Sequence, residues 1–286
     1  MAKIVGAITT SHIPGIGRAI ANNLQEDPYW KPFFDGFKPV HEWLSKVKPD
    51  VAVVFYNDHG LNFFLDKMPT FSVGAAKEYL NADEGWGIPT LPPFKGNADL
   101  SWKLINGLID HEFDITTCQK MLVDHAFTLP LKLLWPNEKE CPVPTIPVCI
   151  NTVQFPLPSA KRCFDLGKTV GEIIQSWDDD LKVVMIGTGG LSHQLDGERA
   201  GFINKEFDTA FMHSLIDNPR FATQYTIEEL VELTGTQGVE LVMWLAARGA
   251  LPGKVKQIAS NYHIPISNTA AGMMLFENSL GIFLVC

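Results

Sequence analysis

This sequence of 286 residues lacks several features that mark whole classes of proteins. No apolar run approaches the roughly 20 residues that a membrane-spanning helix needs. No run of lysine and arginine offsets the formal net charge of −9, which argues against a nucleic-acid partner. The sequence therefore predicts a protein that acts neither in a membrane nor on nucleic acid.

Cysteine is scarce and its spacing indicates no disulfide framework or zinc site. The chain has five cysteines, an odd number, and no CxxC pair. Such a set predicts reduced thiols, which are typical of the cytoplasm. The N-terminus also lacks the segmented form of a signal peptide. We therefore expect a cytoplasmic protein.

Several common catalytic motifs are absent as well. The chain has no HExxH helix, GxSxG elbow, P-loop or dinucleotide-binding fingerprint. The run Gly187–Gly190 is rich in glycine but lacks the spacing of such a fingerprint. The missing HExxH helix argues against a zinc peptidase of that type.

Three histidines follow three apolar stretches of the chain. The stretch Lys3–Thr9 precedes His12, Val51–Tyr56 precedes His59, and Leu181–Thr188 precedes His193. Stretches of this kind are typical of strands buried on both faces in a parallel sheet. Ligands of open α/β sheets bind outside the carboxyl ends of the strands. We therefore expect the three imidazoles to converge at one sheet edge, in an enzyme that holds a metal.

The order of strand and helix patterns predicts the fold class. It is an α/β fold, a single domain with a central, mostly parallel sheet flanked by helices and an active site at the carboxyl ends of the strands. We expect residues 1–280 to form this domain and residues 281–286 to form a short apolar tail. The segment Asp66–Gly96 is rich in proline and glycine and too long for a simple connection, which predicts a functional excursion or a lid.

Glu240 is a candidate metal ligand because it lies in an otherwise apolar helix start, Gln237–Leu245. A buried carboxylate without a partner is costly, and a divalent cation is one solution. The alternative is a first-turn glutamate that is partly solvated and favoured by the helix dipole. Two histidines and one carboxylate suit a non-haem Fe(II) site, and zinc hydrolases use the same set.

Two aspartates directly precede histidines. In an extended chain adjacent side chains point to opposite sides, so Asp58 and Asp124 are not expected to orient His59 and His125. We interpret both as turn or cap residues. Asp124 as a helix cap would place His125 in the first helical turn.

Five blocks of the sequence together resemble one enzyme family. They are Thr10–Pro14, Tyr56–His59, Ala82–Gly87, Gly187–Gln194 and Gly238–Trp244. These blocks are similar to the class II extradiol dioxygenases, in particular to the catalytic β subunit of protocatechuate 4,5-dioxygenases and to the related gallate dioxygenases. The likeness runs from about residue 3 to residue 278 in the family's order.

The resemblance implies an oxidoreductase that inserts O2 into a carboxylated catechol at a mononuclear Fe(II). It implies that His12, His59 and Glu240 hold the iron. It also implies that His193 is the catalytic base and that His125 is a second active-site histidine. The alternatives are a zinc-dependent hydrolase built on the same three ligands and a non-catalytic binding protein of the same fold.

The resemblance extends to the substrate pocket. It implies that Asn57, Ser267 and Asn268 line the pocket, with the latter two toward the ring carboxylate. Ala126 follows His125 where protocatechuate enzymes usually have glycine. The substrate therefore stays open between protocatechuate, gallate and their methylated relatives.

The resembled enzymes also cover their pocket. Protocatechuate enzymes use a small α subunit, and gallate enzymes carry a fused C-terminal equivalent. The apolar tail Gly281–Cys286 and the excursion Asp66–Gly96 suggest surfaces that need covering. We therefore expect an oligomer whose site is completed by a separate subunit or by a C-terminal extension.

Overall fold

A computed structural model describes residues 1–85, 87–266 and 268–278 of the chain. The strands are β1 Lys3–Thr10, β2 Val51–Tyr56, β3 Phe71–Gly74, β4 Glu78–Asn81, β5 Phe94–Lys95, β6 Thr116–Cys118, β7 Leu122–Val123, β8 Thr145–Ile150, β9 Lys182–Thr188, β10 Val255–Ile266 and β11 Thr269–Asn278. The helices are α1 Pro14–Ala21, α2 Lys31–Asp35, α3 Lys38–Val47, α4 Ala98–Asp110, α5 His125–Leu134, α6 Ala160–Gln175, α7 Lys205–Asp217, α8 Ile227–Thr234 and α9 Val242–Gly249. Short 3₁₀ turns lie at Phe221–Gln224 and Gly238–Leu241.

The main sheet has the strand order β10-β11-β1-β9-β2-β8-β3-β6. Its four central strands, β1, β9, β2 and β8, run parallel to their neighbours within this group. On one side β11 pairs antiparallel with β1 and with β10. On the other side β3 pairs antiparallel with β8 and parallel with β6. The predicted α/β fold with a central, mostly parallel sheet is thus confirmed.

Strand β2 shows how the sequence builds a layer of helices on each face of the sheet. All six of its residues are buried, and successive side chains point to opposite faces. Val51, Val53 and Phe55 belong to a core that also contains residues of α4, α6, α7, α8 and α9. Val54 and Tyr56 belong to the opposite core, shared with α1, α2, α3 and α5. Burial on both faces explains why the strand is apolar throughout.

The register of the central strands aligns their carboxyl ends. Thr10 at the end of β1 pairs with Thr188 at the end of β9. Phe55, near the end of β2, pairs with Gly187 of β9. The three segments that follow these strands therefore begin at the same level of one sheet edge.

The predicted strand and helix bounds differ from the observed ones in a few places. The stretches Lys3–Thr9 and Leu181–Thr188 form the strands Lys3–Thr10 and Lys182–Thr188, and the residues after Ile150 of β8 form a turn that Asn151 stabilises. The excursion Asp66–Gly96 contains β3, which joins the main sheet, and the short strands β4 and β5. The predicted tail, residues 281–286, lies outside the described residues. Within the described part of the chain, no helix is both long and apolar enough to cross a lipid bilayer.

Candidate metal centre and active-site cavity

The carboxyl edge of the sheet opens into a cavity of about 460 Å³. His12, His59 and His193, which follow β1, β2 and β9, all line it. Glu240, from the 3₁₀ turn before α9, and His125, the first residue of α5, line it too. The expected convergence of the three strand-end histidines is therefore observed.

Glu240 lies between two of these histidines. Its Oε2 is 3.3 Å from His12 Nε2, and its Oε1 is 3.3 Å from His59 Nε2. The residue is only 5% exposed. The backbone N–H of Gly190 donates to Oε2 at 3.0 Å, and the Asn57 amide donates to Oε1 at 3.2 Å. Glu240 is thus a buried, hydrogen-bonded carboxylate: it does lie in a first turn, but the alternative that it is partly solvated is wrong.

The turn after β9 accepts Glu240 because it contains glycine. At Gly189 φ is +139°, a conformation that L side chains rarely adopt. A Cβ atom at this position would also lie 2.7 Å from Cβ of Glu240. The glycine therefore permits the close approach of the turn to the carboxylate.

Electrostatics keeps the carboxylates of this site ionised. Burial raises the pKa of Glu240, but the neighbouring His12 and His59 outweigh burial and hold that pKa well below its usual range. Burial lowers the pKa of His12, with partial compensation from Glu240. Burial also lowers the pKa of His59, but Asp124 and Glu240 outweigh it and raise that pKa well above the usual value. A charged carboxylate therefore faces the two imidazoles.

The Nδ1 atoms of three histidines are each held by a neighbouring side chain. His59 Nδ1 is 2.9 Å from Asp124 Oδ2, His125 Nδ1 is 2.6 Å from Glu84 Oε1, and His12 Nδ1 is 3.3 Å from Thr188 Oγ1. Partners of this kind are typical of metal-ligating histidines, because they fix the ring and leave Nε2 for the ligand. The pattern therefore suits a metal centre.

Of the two aspartates that precede histidines, Asp124 acts on a histidine that is not its chain neighbour. Asp124 caps α5 by accepting from Ala126 N–H at 3.0 Å, as expected, but it also accepts from the backbone and ring of His59. Burial raises the pKa of Asp124, and His59 outweighs it to give a pKa of about 2. Asp58 accepts backbone N–H groups of residues 60–63, which confirms it as a turn residue. Sequence reasoning missed the role of Asp124 toward His59.

Glu84 is a functional candidate that the sequence did not identify by itself, although it lies in the Ala82–Gly87 block. Its Oε2 accepts the backbone N–H of His125 at 2.7 Å while Oε1 contacts the ring. The only signal in the sequence is its position in the Ala82–Gly87 block of the excursion. Asp83, Glu84 and Ile88 line the cavity, so the excursion contributes to the candidate site.

The ring of His193 is oriented by its own backbone turn. Its Nδ1 lies 2.8 Å from the carbonyl oxygen of Leu191, which only accepts, so Nδ1 carries the proton. When the ring carries only that proton, Nε2 has the lone pair that can accept another. The turn itself is held by buried Asp208, which accepts from the N–H and hydroxyl of Ser192 at 2.9 and 2.6 Å. His193 is therefore equipped as a proton acceptor.

Of the three residues expected to line the substrate pocket, the two that the structure describes do not line the cavity. Asn57 is 1% exposed and lies behind the cavity, against Glu240 and His59. Asn268 is exposed, has φ of +60°, and is not among the lining residues. Ser267 lies outside the described residues. Their roles toward the substrate stay predictions.

The donor atoms fit a divalent cation in two overlapping ways. His12, His59 and Glu240 offer two nitrogens and one carboxylate, the set that leaves positions open on a non-haem iron. His12, His59 and His125 also have one ligand atom each within 4.8 Å of one another. Both sets share His12 and His59, so the geometry fits either Glu240 or His125 as the third ligand.

A family model for the catalytic LigB subunit of aromatic ring-opening dioxygenases matches residues 6–273. The chain belongs to this family. Its members are extradiol, ring-cleaving dioxygenases of class III. The expected class number, II, is wrong, while the expected type of enzyme is confirmed at the level of the family.

Similar proteins agree with the family. The chain is 38% identical over 197 residues to a gallate dioxygenase of Pseudomonas putida, covering 69% of this chain and 58% of that protein. It is 35% identical over 189 residues to a 2,3-dihydroxyphenylpropionate/2,3-dihydroxicinnamic acid 1,2-dioxygenase of Photorhabdus laumondii, covering 66% and 56%. The chain thus spans less than two thirds of the length of these two relatives. A 2,3-dihydroxyphenylpropionate/2,3-dihydroxicinnamic acid 1,2-dioxygenase of Xanthobacter autotrophicus is 30% identical over 271 residues, covering 78% of this chain and 84% of that protein.

The fold also occurs among solved structures. A crystal structure of an uncharacterized protein from Escherichia coli K12 aligns with a TM-score of 0.51 over 95% of this chain and 99% of that one. The sequence identity is 13%, so this likeness concerns the fold alone.

Proposed function

We propose that this chain is an Fe(II)-dependent extradiol dioxygenase that cleaves a carboxylated catechol such as protocatechuate or gallate. The observation that carries the proposal is the contact of His12 Nε2 and His59 Nε2 with separate oxygens of buried Glu240, beside His193 and in one cavity. We assign the metal to His12, His59 and Glu240. Membership of the LigB family supports the ring-cleaving chemistry.

Glu240 is favoured over His125 as the third ligand for a chemical reason. The carboxylate is ionised, buried and already in contact with both histidines. One carboxylate leaves a divalent metal with one net positive charge, which favours a catechol binding through its two oxygens. His125 then remains available to hydrogen-bond the substrate or oxygen.

The protein side of the reaction follows from the placement of the histidines. When bound, Fe(II) lowers the pKa of catechol hydroxyls and offers open positions to substrate and O2. His193 accepts the remaining hydroxyl proton at Nε2, because Nδ1 is engaged with the Leu191 carbonyl. Glu84 holds the ring of His125 so that its Nε2 is left for the reacting groups. The apolar walls Leu61 and Ile88 limit the access of water.

The same donors would also suit zinc in a hydrolase. The test is therefore comparative. The chain is depleted of metal, reconstituted anaerobically with one equivalent of Fe(II) or Zn(II), and supplied with protocatechuate or gallate while oxygen is monitored. We expect oxygen uptake and a ring-opened product with Fe(II) alone. Hydrolysis of ester substrates by the zinc form without oxygen uptake by the iron form would overturn the proposal, as would inactivity of both forms.

We further propose that the working enzyme is an oligomer whose pocket is covered by a small second subunit or a C-terminal extension. The cavity opens at the sheet edge, and a reactive centre must exclude water. Light scattering and oxygen uptake on the isolated chain test this. We expect an oligomer that turns over weakly or loses iron quickly. A stable, fully active monomer would contradict the proposal.

A further inference from the structure

Arg18 lines the same cavity as the histidines, from helix α1. Pro14 and Gly15, one helical turn earlier, line it as well, whereas Ile16 and Gly17 are buried and are not among its lining residues. One face of α1 is therefore turned toward the cavity. With a rise of about 1.5 Å per residue, Cα of Arg18 lies about 6 Å further along the helix than Cα of Pro14. Because α1 starts two residues after His12, Arg18 extends the cavity away from the candidate metal ligands.

The stem of Arg18 lies against the excursion on the opposite wall. A Cβ atom built on Gly87 would lie 3.4 Å from Cγ and 3.5 Å from Cδ of Arg18. This is the distance of ordinary van der Waals contact. The stem of Arg18 thus lies close to the loop that contains Asp83 and Glu84, while the residue as a whole is exposed.

The guanidinium has no anionic partner among the residues that the structure describes. Two carboxylates line the cavity on the same loop, but both are engaged elsewhere. Glu84 binds the ring and backbone of His125, and Asp83 accepts the N–H of Gly85 at 3.3 Å. Neither of them forms an ion pair with Arg18.

The chemistry of the cavity points to the missing partner. Among its described lining residues, Arg18 is the only lysine or arginine. Ile13, Leu61 and Leu195 add apolar wall, which suits a ring. A guanidinium presents paired donors that match the two oxygens of a carboxylate. In a chain of net charge −9, a lone cation also guides an anionic ligand to this opening.

We propose that Arg18 is a specificity-determining residue that binds the carboxylate of an aromatic acid whose hydroxyls face His12, His59 and Glu240. The inference rests on the proposed function and deepens it, since it names the group that distinguishes substrates from plain catechols. It gives the carboxylate a partner on α1, whereas the resemblance pointed to Ser267 and Asn268.

Anaerobic calorimetry on the iron-loaded chain tests this without turnover. The probes are 3,4-dihydroxybenzoate and 4-methylcatechol, which differ at the anionic group. We expect Arg18→Gln to weaken binding of the acid by about 10- to 100-fold, as for other hydrogen bonds to charged groups, and to leave the neutral catechol unchanged. Arg18→Lys should weaken binding of the acid less than Arg18→Gln does, because lysine keeps the positive charge although it lacks the paired donors of a guanidinium.

Arg220→Gln is the matched control, since Arg220 is an exposed arginine paired with Asp165 and absent from the cavity lining. It should bind both probes as the parent does. Equal weakening of both probes by Arg18→Gln, or no weakening of either, would overturn the inference, as would a parent chain that does not prefer the acid. Selective binding without oxygen uptake would instead overturn the proposed function and leave Arg18 as an anion-binding residue.

Discussion

The two sides of the cavity are built in different ways. On one side His12 and His59 follow β1 and β2, and their positions depend on the direction and register of central strands. On the other side His125 begins α5 and is held by Glu84, which lies 41 residues earlier in an excursion with little regular structure. The strand side supplies two of the candidate metal ligands and, with His193 after β9, the candidate proton acceptor, whereas the loop side supplies the second active-site histidine, His125. The comparison teaches that the register of central strands positions two candidate ligands, while a less regular segment holds the ring of His125.

The largest effects are expected at the three proposed metal ligands, two of which follow central strands. His12→Ala, His59→Ala and Glu240→Ala should each lose most bound Fe(II) and essentially all oxygen uptake while the fold is retained, because each removes a proposed ligand. His125→Ala is the matched control and should keep its iron. Iron content after anaerobic dialysis, with circular dichroism for the fold, measures this. A ligand variant with full iron and full activity would remove that residue from the ligand set.

The next effect concerns the proton acceptor. His193→Ala should bind Fe(II) normally and turn over about 10² to 10⁴ times more slowly, since that is the usual cost of losing a general base. Steady-state oxygen uptake at matched iron content measures the rate. Loss of iron in this variant would make His193 a ligand and contradict its assignment as the proton acceptor.

The two orienting carboxylates offer a direct contrast. Asp124→Asn should weaken Fe(II) binding by about 10- to 100-fold, because Asp124 fixes the ring of His59. Glu84→Gln should leave Fe(II) binding close to the parent and lower the rate of turnover, because Glu84 fixes His125. Anaerobic competition with a metal chelator gives both affinities. If both variants lost iron equally, Asp124 and Glu84 would not have the separate roles that we assign to them.

The smallest effect is expected at Thr188. Its hydroxyl is 3.3 Å from His12 Nδ1 and donates to the Ala126 carbonyl at 2.7 Å. Thr188→Val keeps the shape and removes the hydroxyl, so the loss of Fe(II) affinity should be smaller than for Asp124→Asn, about tenfold or less. The same chelator competition measures it, and a larger loss than at Asp124 would reverse the ranking.

The sequence predicted the strand side of this site well for a physical reason. A strand buried on both faces must be apolar, so β1, β2 and β9 stand out, and parallel strands bring their carboxyl ends together. The burial of Glu240 followed from the apolar residues around it. The long hairpin of β10 and β11 was not predicted, because its outer strand mixes exposed and half-buried residues.

The loop side could not be predicted in the same way. The contacts Asp124–His59 and Glu84–His125 join residues 65 and 41 positions apart, and no local pattern encodes them. Asp58 and Asp124 were correctly not expected to orient the histidines that follow them. That argument did not reveal that Asp124 contacts the ring of His59. Resemblance to a family marked the block that contains Glu84 but not what its carboxylate touches.

The central claim is that the metal is held by His12, His59 and Glu240, with His125 outside the ligand set. The most direct measurement is anomalous diffraction at the iron edge from crystals soaked anaerobically with Fe(II). The account predicts one iron peak within coordination distance of His12 Nε2, His59 Nε2 and a Glu240 oxygen, with His125 unligated. A peak bound by His12, His59 and His125 and remote from Glu240 would contradict it.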